Sequence, residues 1–254
     1  MPNRLTLSPE VRGPLSVYCI EEFRGYGVDA FVTDRHGGVS GPPYDSLNLG
    51  SHVGDDADNV AENRRRVADA IGVAVERLVI VRQVHGDIVL DASTSLGASE
   101  GDGLFTSSSE LALAVLVADC VPVLIVDASS YDFAVVHAGW RGLSSQILER
   151  AVRRFRSPQT LHAFGGPSIS FEGYQVGPEV AERFADVEGA LAPDGGERSR
   201  LDLRRVAASQ LVEHGVRDAN IIVSAQSTDG GGLFFSDRAV RPCGRFALVA
   251  KRAS

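Results

Sequence analysis

The sequence predicts an α+β fold in which mixed β-sheets form a central layer and helices pack outside. Three observations carry that expectation. Apolar, β-branched runs outnumber the stretches with helical spacing. The runs arrive in succession, without the strict strand–helix alternation of a doubly wound fold. Hydrophobic residues make up 44% of the 254 and charged residues 23%, a balance that suits a globular chain with a sizeable core.

Taken in order, the first strands are 15–20 (LSVYCI) and 29–33 (DAFVT). Helical spacing over 58–72 puts Val60, Val67, Ala68 and Ile71 on one face, and Gly72 suits the left-handed residue that closes many helices. Strand 78–84 (LVIVRQV) follows, then three closely spaced apolar runs at 111–118, 121–127 and 132–137. Over 143–155 the residues Leu143, Ile147, Leu148, Ala151 and Phe155 make one stripe, with Pro158 beyond it, so a single helix is expected. A strand at 160–166 precedes a helix that Pro178 can start and that carries Val180 and Phe184. The stretch 185–200 is polar and glycine-rich and reads as an exposed loop. A helix at 203–214 with Val206, Ala207 and Leu211 leads to strands 220–225 and 245–251. No repeat, low-complexity tract or convincing linker interrupts the series, so one domain over 1–254 is expected.

The formal net charge of −8 argues against a general binder of nucleic acid or membrane surfaces, because both need a basic face. The first residues hold no apolar core of a signal peptide, and no apolar run approaches the roughly 20 residues that span a bilayer. A cytoplasmic protein is expected. Among the 25 basic residues only Lys251 is a lysine, which leaves many planar guanidinium forks for phosphate or carboxylate. Three cysteines, Cys19, Cys120 and Cys243, are an odd number without an export signal, so no disulfide framework is expected.

Three strand ends share one peculiarity. VIVRQVHG finishes in His85, LAVLVADCVP in Asp119-Cys120, and FAVVHAGW in His137. Strand ends in one sheet system can converge, so two imidazoles and a thiolate can meet at one point. Two His and one Cys form a three-ligand catalytic metal set with a fourth position left for water or substrate. The separations of 35 and 17 residues are no short zinc-finger pattern, and the plain alternative is three structural strand-end residues. Asp119 is a candidate to orient a ligating imidazole, and Asp102 in GDG reads as a turn residue. His52 reads as a structural loop residue.

QVHG, ADCVPVL and HAGWRG, in that order, resemble the signature of the YfiH/YlmD family, which includes the FAMIN proteins of animals. The likeness extends through RHGGVSGPPYDSLNLGSHVGDD (35–56), ENRRRV (62–67), YQVGPEV (174–180), LDL (201–203) and LFFSDR (233–238), nearly the whole chain. It departs where Ser227-Thr228 stands in place of the frequent Cys-Thr, and where GDGLFT (101–106) replaces the usual Asp-Ala-Leu-Val-Thr. The family was once described as polyphenol oxidases or laccases and is now described as purine nucleoside phosphorylases.

The resemblance implies a YfiH-like fold, with zinc held by His85, Cys120 and His137, and copper as the alternative metal. It also implies phosphorolysis of adenosine, inosine, guanosine and 5′-methylthioadenosine, with an adenosine deaminase activity beside it. Purine nucleosides and phosphate are then the partners, and a homodimer is compatible with the chain. Arg141, between a strand end and the expected helix, is a candidate for phosphate. Arg64 on the 58–72 helix and Asn48 in its polar loop are candidates for phosphate and for base or ribose. The competing readings are a metal-free Cys120–His137 thiol hydrolase, an editing enzyme for cell-wall precursors, a copper-dependent polyphenol oxidase and a structural zinc protein that binds nucleosides. The oxidase is the weaker, because Met1 is the sole methionine and no multi-histidine cluster is visible.

Overall fold

The computed structural model describes residues 3–94, 99–229 and 232–253. The elements run β1 (Asn3–Leu5), β2 (Pro9–Arg12), β3 (Leu15–Cys19), β4 (Val28–Thr33), α1 (Ala57–Ile71), β5 (Leu78–Ile80), β6 (Val89–Asp91) and β7 (Gly103–Thr106). Then come β8 (Ala112–Val117), β9 (Val121–Asp127), β10 (Phe133–Ala138), α2 (Trp140–Ser144), α3 (Ile147–Val152) and β11 (Leu161–Gly165). The chain finishes with β12 (Gln175–Val176), α4 (Pro178–Ala181), β13 (Leu191–Pro193), β14 (Ser199–Leu201), α5 (Leu203–Glu213), β15 (Ile221–Ser224) and β16 (Phe246–Arg252).

Two large mixed sheets form the centre. One is ordered β1-β15-β11-β9-β10-β7-β6, the other β2-β3-β4-β16-β8-β5. Alternation along each strand explains how they stack, because successive side chains point to opposite faces. On β8, Leu113, Val115 and Val117 join Leu124 and Val126 of β9 and Phe246 and Leu248 of β16 in a core between the sheets. The intervening Ala112, Ala114 and Leu116 pack instead with Val67, Ala68 and Ile71 of α1. On β9, Val121, Val123 and Ile125 face the other way, onto Leu148 and Ala151 of α3 and Leu211 of α5. The result is four layers, helix, sheet, sheet and helices, as the hydrophobic pattern predicts. Each fully buried Val, Leu or Phe contributes about 1.5–3 kcal/mol of transfer free energy.

α1 forms as its ends dictate. The Asp56 carboxylate accepts from the N–H groups of Asp58 at 2.8 Å and Asn59 at 3.1 Å, and Gly72 closes the helix at φ 75°.

The expected 143–155 helix differs from the observed one. Its stripe is buried as expected, but the helix begins earlier, at Trp140, and breaks at Gln146, which has φ 62°. Arg141 therefore sits inside a first short helix and not in a loop ahead of a longer one. The 185–200 stretch is also no simple loop: it contains β13 and the start of β14, which pair with each other while β14 pairs with β12. Strands of two or three residues rich in polar side chains give no period-2 signal to read. No helix among the described residues is long and apolar enough to cross a membrane.

Candidate metal centre and its cleft

β-pairing explains how distant residues meet. β9 and β10 are antiparallel, with Ala138 opposite Val121 and His137 opposite Pro122. Cys120 directly precedes β9, so the register brings it beside the end of β10. β7 lies on the other side of β10, with Gly103 opposite Val136. This sets Asp102 next to His137, whose N–H donates to the Asp102 carbonyl at 2.7 Å.

The Asp102 carboxylate, fully buried, then gathers the third member. It accepts from the backbone N–H groups of Val84 at 3.2 Å, His85 at 2.9 Å and Gly86 at 2.7 Å. These bonds stabilise a turn in which His85 holds the left-handed φ of 60°, a conformation that is costly for a non-glycine residue. The same carboxylate takes Nδ1 of His137 at 2.8 Å. Asp102 is thus more than the turn residue its GDG setting suggests.

His85, Cys120 and His137 each offer a ligand atom, and the three atoms lie within 4.8 Å of one another. The imidazoles meet edge to face, with centroids 4.7 Å apart. Glycines make room for the cluster. A Cβ on Gly139 would stand 2.9 Å from Cys120 Sγ and 3.3 Å from His85 Cδ2, and one on Gly142 would stand 2.9 Å from the Gly86 carbonyl oxygen. The spacing of HAGWRG follows from this close approach.

The electrostatics favour a charged pair. Burial opposes ionisation of Cys120, but the neighbouring His137 and the hydrogen bonds from both imidazoles outweigh it and bring the thiol below its ordinary range. Burial likewise disfavours the His137 imidazolium, yet the Cys120 thiolate and the Asp102 carboxylate raise its pKa. Burial also works against charge on Asp102, and His137 with the backbone donors lowers its pKa nonetheless. Two imidazoles and a low-pKa thiolate are ligands that suit zinc or copper, and the Nδ1 contact of His137 leaves its Nε2 as the ligand atom. In chemical type the donor set, two imidazole nitrogens and one sulfur, fits a divalent ion such as zinc.

The three residues line a cleft of about 300 Å³. Arg141, Arg238, Arg241 and Arg245 also line it. Arg141 stacks on Trp140 at 4.2 Å and Arg238 on Tyr174 at 5.1 Å, and neither forms an ion pair among the described residues. Burial, followed by the Cys120 charge, pushes the Tyr174 phenol up to about 12, so it stays neutral.

Asn48 and Arg64 lie elsewhere. Asn48 is fully buried and spends its amide on Gly50, Asp55 and the Arg245 N–H. Arg64 donates from Nε and Nη2 to the Leu49 carbonyl, at 3.0 and 2.8 Å. Neither is among the residues that line the cleft. His52 does line it. Asp119 does not contact an imidazole: its carboxylate accepts from Thr228 Oγ1, from Ser236 Oγ at 2.7 Å and from the Arg238 N–H at 2.7 Å. It pins the segment that carries the cleft arginines. Ser227 bridges to Ser168 and is not a lining residue. The cluster Arg238, Arg241 and Arg245 escaped the sequence reading, because three arginines among 24 give no periodic signal.

Comparisons with known proteins agree with the fold. The profile of the family described as multi-copper polyphenol oxidoreductase laccase matches residues 29–253. A purine nucleoside phosphorylase of Mycobacterium tuberculosis is 40% identical over 225 residues, covering 86% of this chain and 89% of the relative. Purine nucleoside phosphorylase YfiH of Escherichia coli is 37% identical, with 87% and 92% covered. Among solved structures, YlmD from Geobacillus stearothermophilus superposes with a TM-score of 0.91 at 32% identity, covering 98% of this chain and 99% of that one. Bacillus licheniformis YfiH gives 0.88 at 31%, with 96% and 98% covered.

Proposed function

The chain belongs to the YfiH/YlmD family, and we propose that it is a zinc-dependent purine nucleoside phosphorylase. One observation carries the reading: in a chain of net charge −8, four arginines line the cleft that also holds His85, Cys120 and His137. An acidic protein that gathers cations around one concave site is suited to an anionic substrate. The names of the relatives supply the nucleoside half of the reaction.

His85, Cys120 and His137 hold the ion, with Asp102 fixing the tautomer and orientation of His137. Bound there, zinc supplies a Lewis acid and lowers the pKa of a water ligand. Among the described residues Arg141 and Arg238 pair with no carboxylate, so they are available to phosphate oxygens. Trp140 and Tyr174 line the same cleft and carry the guanidiniums of Arg141 and Arg238 on their rings. In phosphorolysis a phosphate oxygen forms a bond to ribose C1′ while the bond to the purine nitrogen breaks. The purine leaves with the electron pair and takes up a proton, giving free base and ribose 1-phosphate. Adenosine, inosine, guanosine and 5′-methylthioadenosine are the proposed substrates, with hydrolytic deamination of adenosine as the second reaction.

Ligand grounds disfavour a centre of several copper ions. Among the described residues the other cluster within ligand distance is Glu10, Cys19 and Glu21, where Glu10 pairs with Arg12 at 2.8 Å and Glu21 with Arg24 at 2.8 Å. Cations already occupy those carboxylates, so several copper ions lack ligands. Purified protein assayed with inosine, adenosine and methylthioadenosine, with and without phosphate, tests the reading. Base release that requires phosphate supports it; base release unaffected by phosphate overturns it.

A further inference from the structure

Asp237 is a cleft residue that the phosphorylase reading does not use. Its carboxylate pairs with two guanidiniums at once, Oδ1 with Arg245 Nη2 at 3.1 Å and Oδ2 with Arg241 Nη2 at 2.6 Å. All three residues line the cleft with the metal-site residues. Two oxygens of one planar anion gripping two arginines have the form that two oxygens of a phosphate take at such a pair. We propose that Arg241 and Arg245 join Arg141 and Arg238 in the phosphate seat, and that Asp237 is a resident anion which incoming phosphate displaces. The inference rests on the phosphorylase reading and deepens it: Asp237 sets the affinity for phosphate.

A carboxylate beside arginines can either compete with a ligand or hold the arginines in place for it. The anchoring decides between these roles. Arg245 Nη1 donates to the carbonyls of Cys243 and Gly244, both at 3.0 Å, and its backbone N–H donates to Asn48 Oδ1 at 2.9 Å. Arg241 Nε donates to the backbone carbonyl of Asp237 at 3.0 Å, a bond that a side-chain change at 237 leaves intact. Both arginines keep backbone anchors without the carboxylate. What the carboxylate adds is negative charge where phosphate must sit. The segment itself is pinned from the other side by Asp119, through Ser236 and the Arg238 N–H. Neutralising Asp237 therefore removes a competitor and leaves the seat standing.

The test compares wild type with Asp237→Asn, using inorganic phosphate as the variable substrate and inosine at saturation. The expected result is a phosphate KM lower by about fivefold, with kcat within about twofold, as loss of one competing charge in a partly exposed site predicts. Arg241→Gln, at a side chain 73% exposed and so tolerant of change, raises the phosphate KM and leaves the inosine KM alone. A phosphate KM that is unchanged or higher in Asp237→Asn overturns the proposal. If that variant does not fold, an unchanged phosphate KM in Arg241→Gln overturns it equally. Calorimetric titration of both folded proteins with phosphate alone separates this inference from the parent reading. Tighter phosphate binding by Asp237→Asn supports the seat even if no nucleoside is cleaved. Phosphate-dependent base release with no change in titration leaves the phosphorylase standing and removes the seat.

Discussion

The carboxylate of Asp102 meets Nδ1 of His137 at 2.8 Å, and the same group accepts three backbone N–H groups from the His85 turn. One buried anion therefore orients two of the three proposed metal ligands. It also adds negative charge next to the centre, which strengthens a metal-bound imidazole as a donor.

Asp102→Asn keeps the shape but removes the charge and can turn an N–H group towards donors. The affinity for zinc is expected to fall about 10- to 100-fold, measured by competition with a chromophoric chelator. Wild-type affinity in the variant would mean that strand pairing alone aligns His137.

Metal-free protein should be labelled selectively by iodoacetamide at pH 7. Cys120 is the cysteine whose pKa is lowered, because His137 overcomes the burial penalty. Burial pushes Cys19 up to about 12, and it raises Cys243 as well. The thiolate is the nucleophile, so Cys120 reacts first, and added zinc protects it. Peptide mass spectrometry reads the order; equal labelling of the three would contradict it.

Gly139→Ala places a methyl group 2.9 Å from Cys120 Sγ, where it cannot fit without displacement. Overpacking of this kind costs about 1–3 kcal/mol. Because the neighbours are ligands, the loss should appear in the zinc affinity, lowered about tenfold, more than in the metal-free melting temperature. A variant with normal affinity would show that the cluster has slack at this point.

How much of this was legible in the sequence depends on the range of the signal. The layers were readable, because alternation in β8 and β9 and the stripe over Leu143, Ile147, Leu148, Ala151 and Phe155 record which face each residue buries. The metal-capable trio was readable too, since each member ends an apolar run. The partner of the trio was not. Asp102 looks like a turn residue until the pairing of β7 with β10 puts it beside His137. Asp119 looked like a partner for an imidazole, but its left-handed φ of 88° turns the carboxylate towards Thr228 and Ser236. The break at Gln146 is equally local, a backbone conformation that apolar periodicity does not encode.

Asn48 offers the sharpest separation of support from substrate contact. Its Oδ1 accepts from the N–H groups of Gly50 and Arg245, both at 2.9 Å, and its Nδ2 donates to Asp55 Oδ2 at 2.8 Å. Asn48→Ala leaves two N–H donors, one buried and one part-buried, without their acceptor, at a cost of about 2–3 kcal/mol. In a chain of this size that lowers the melting temperature by about 4–12 °C. The inosine KM of the surviving folded enzyme should stay within about twofold, because the amide is already saturated by the protein. An unchanged melting temperature with a raised inosine KM would instead place Asn48 in contact with the nucleoside, and would require the 48–55 loop to rearrange when substrate binds.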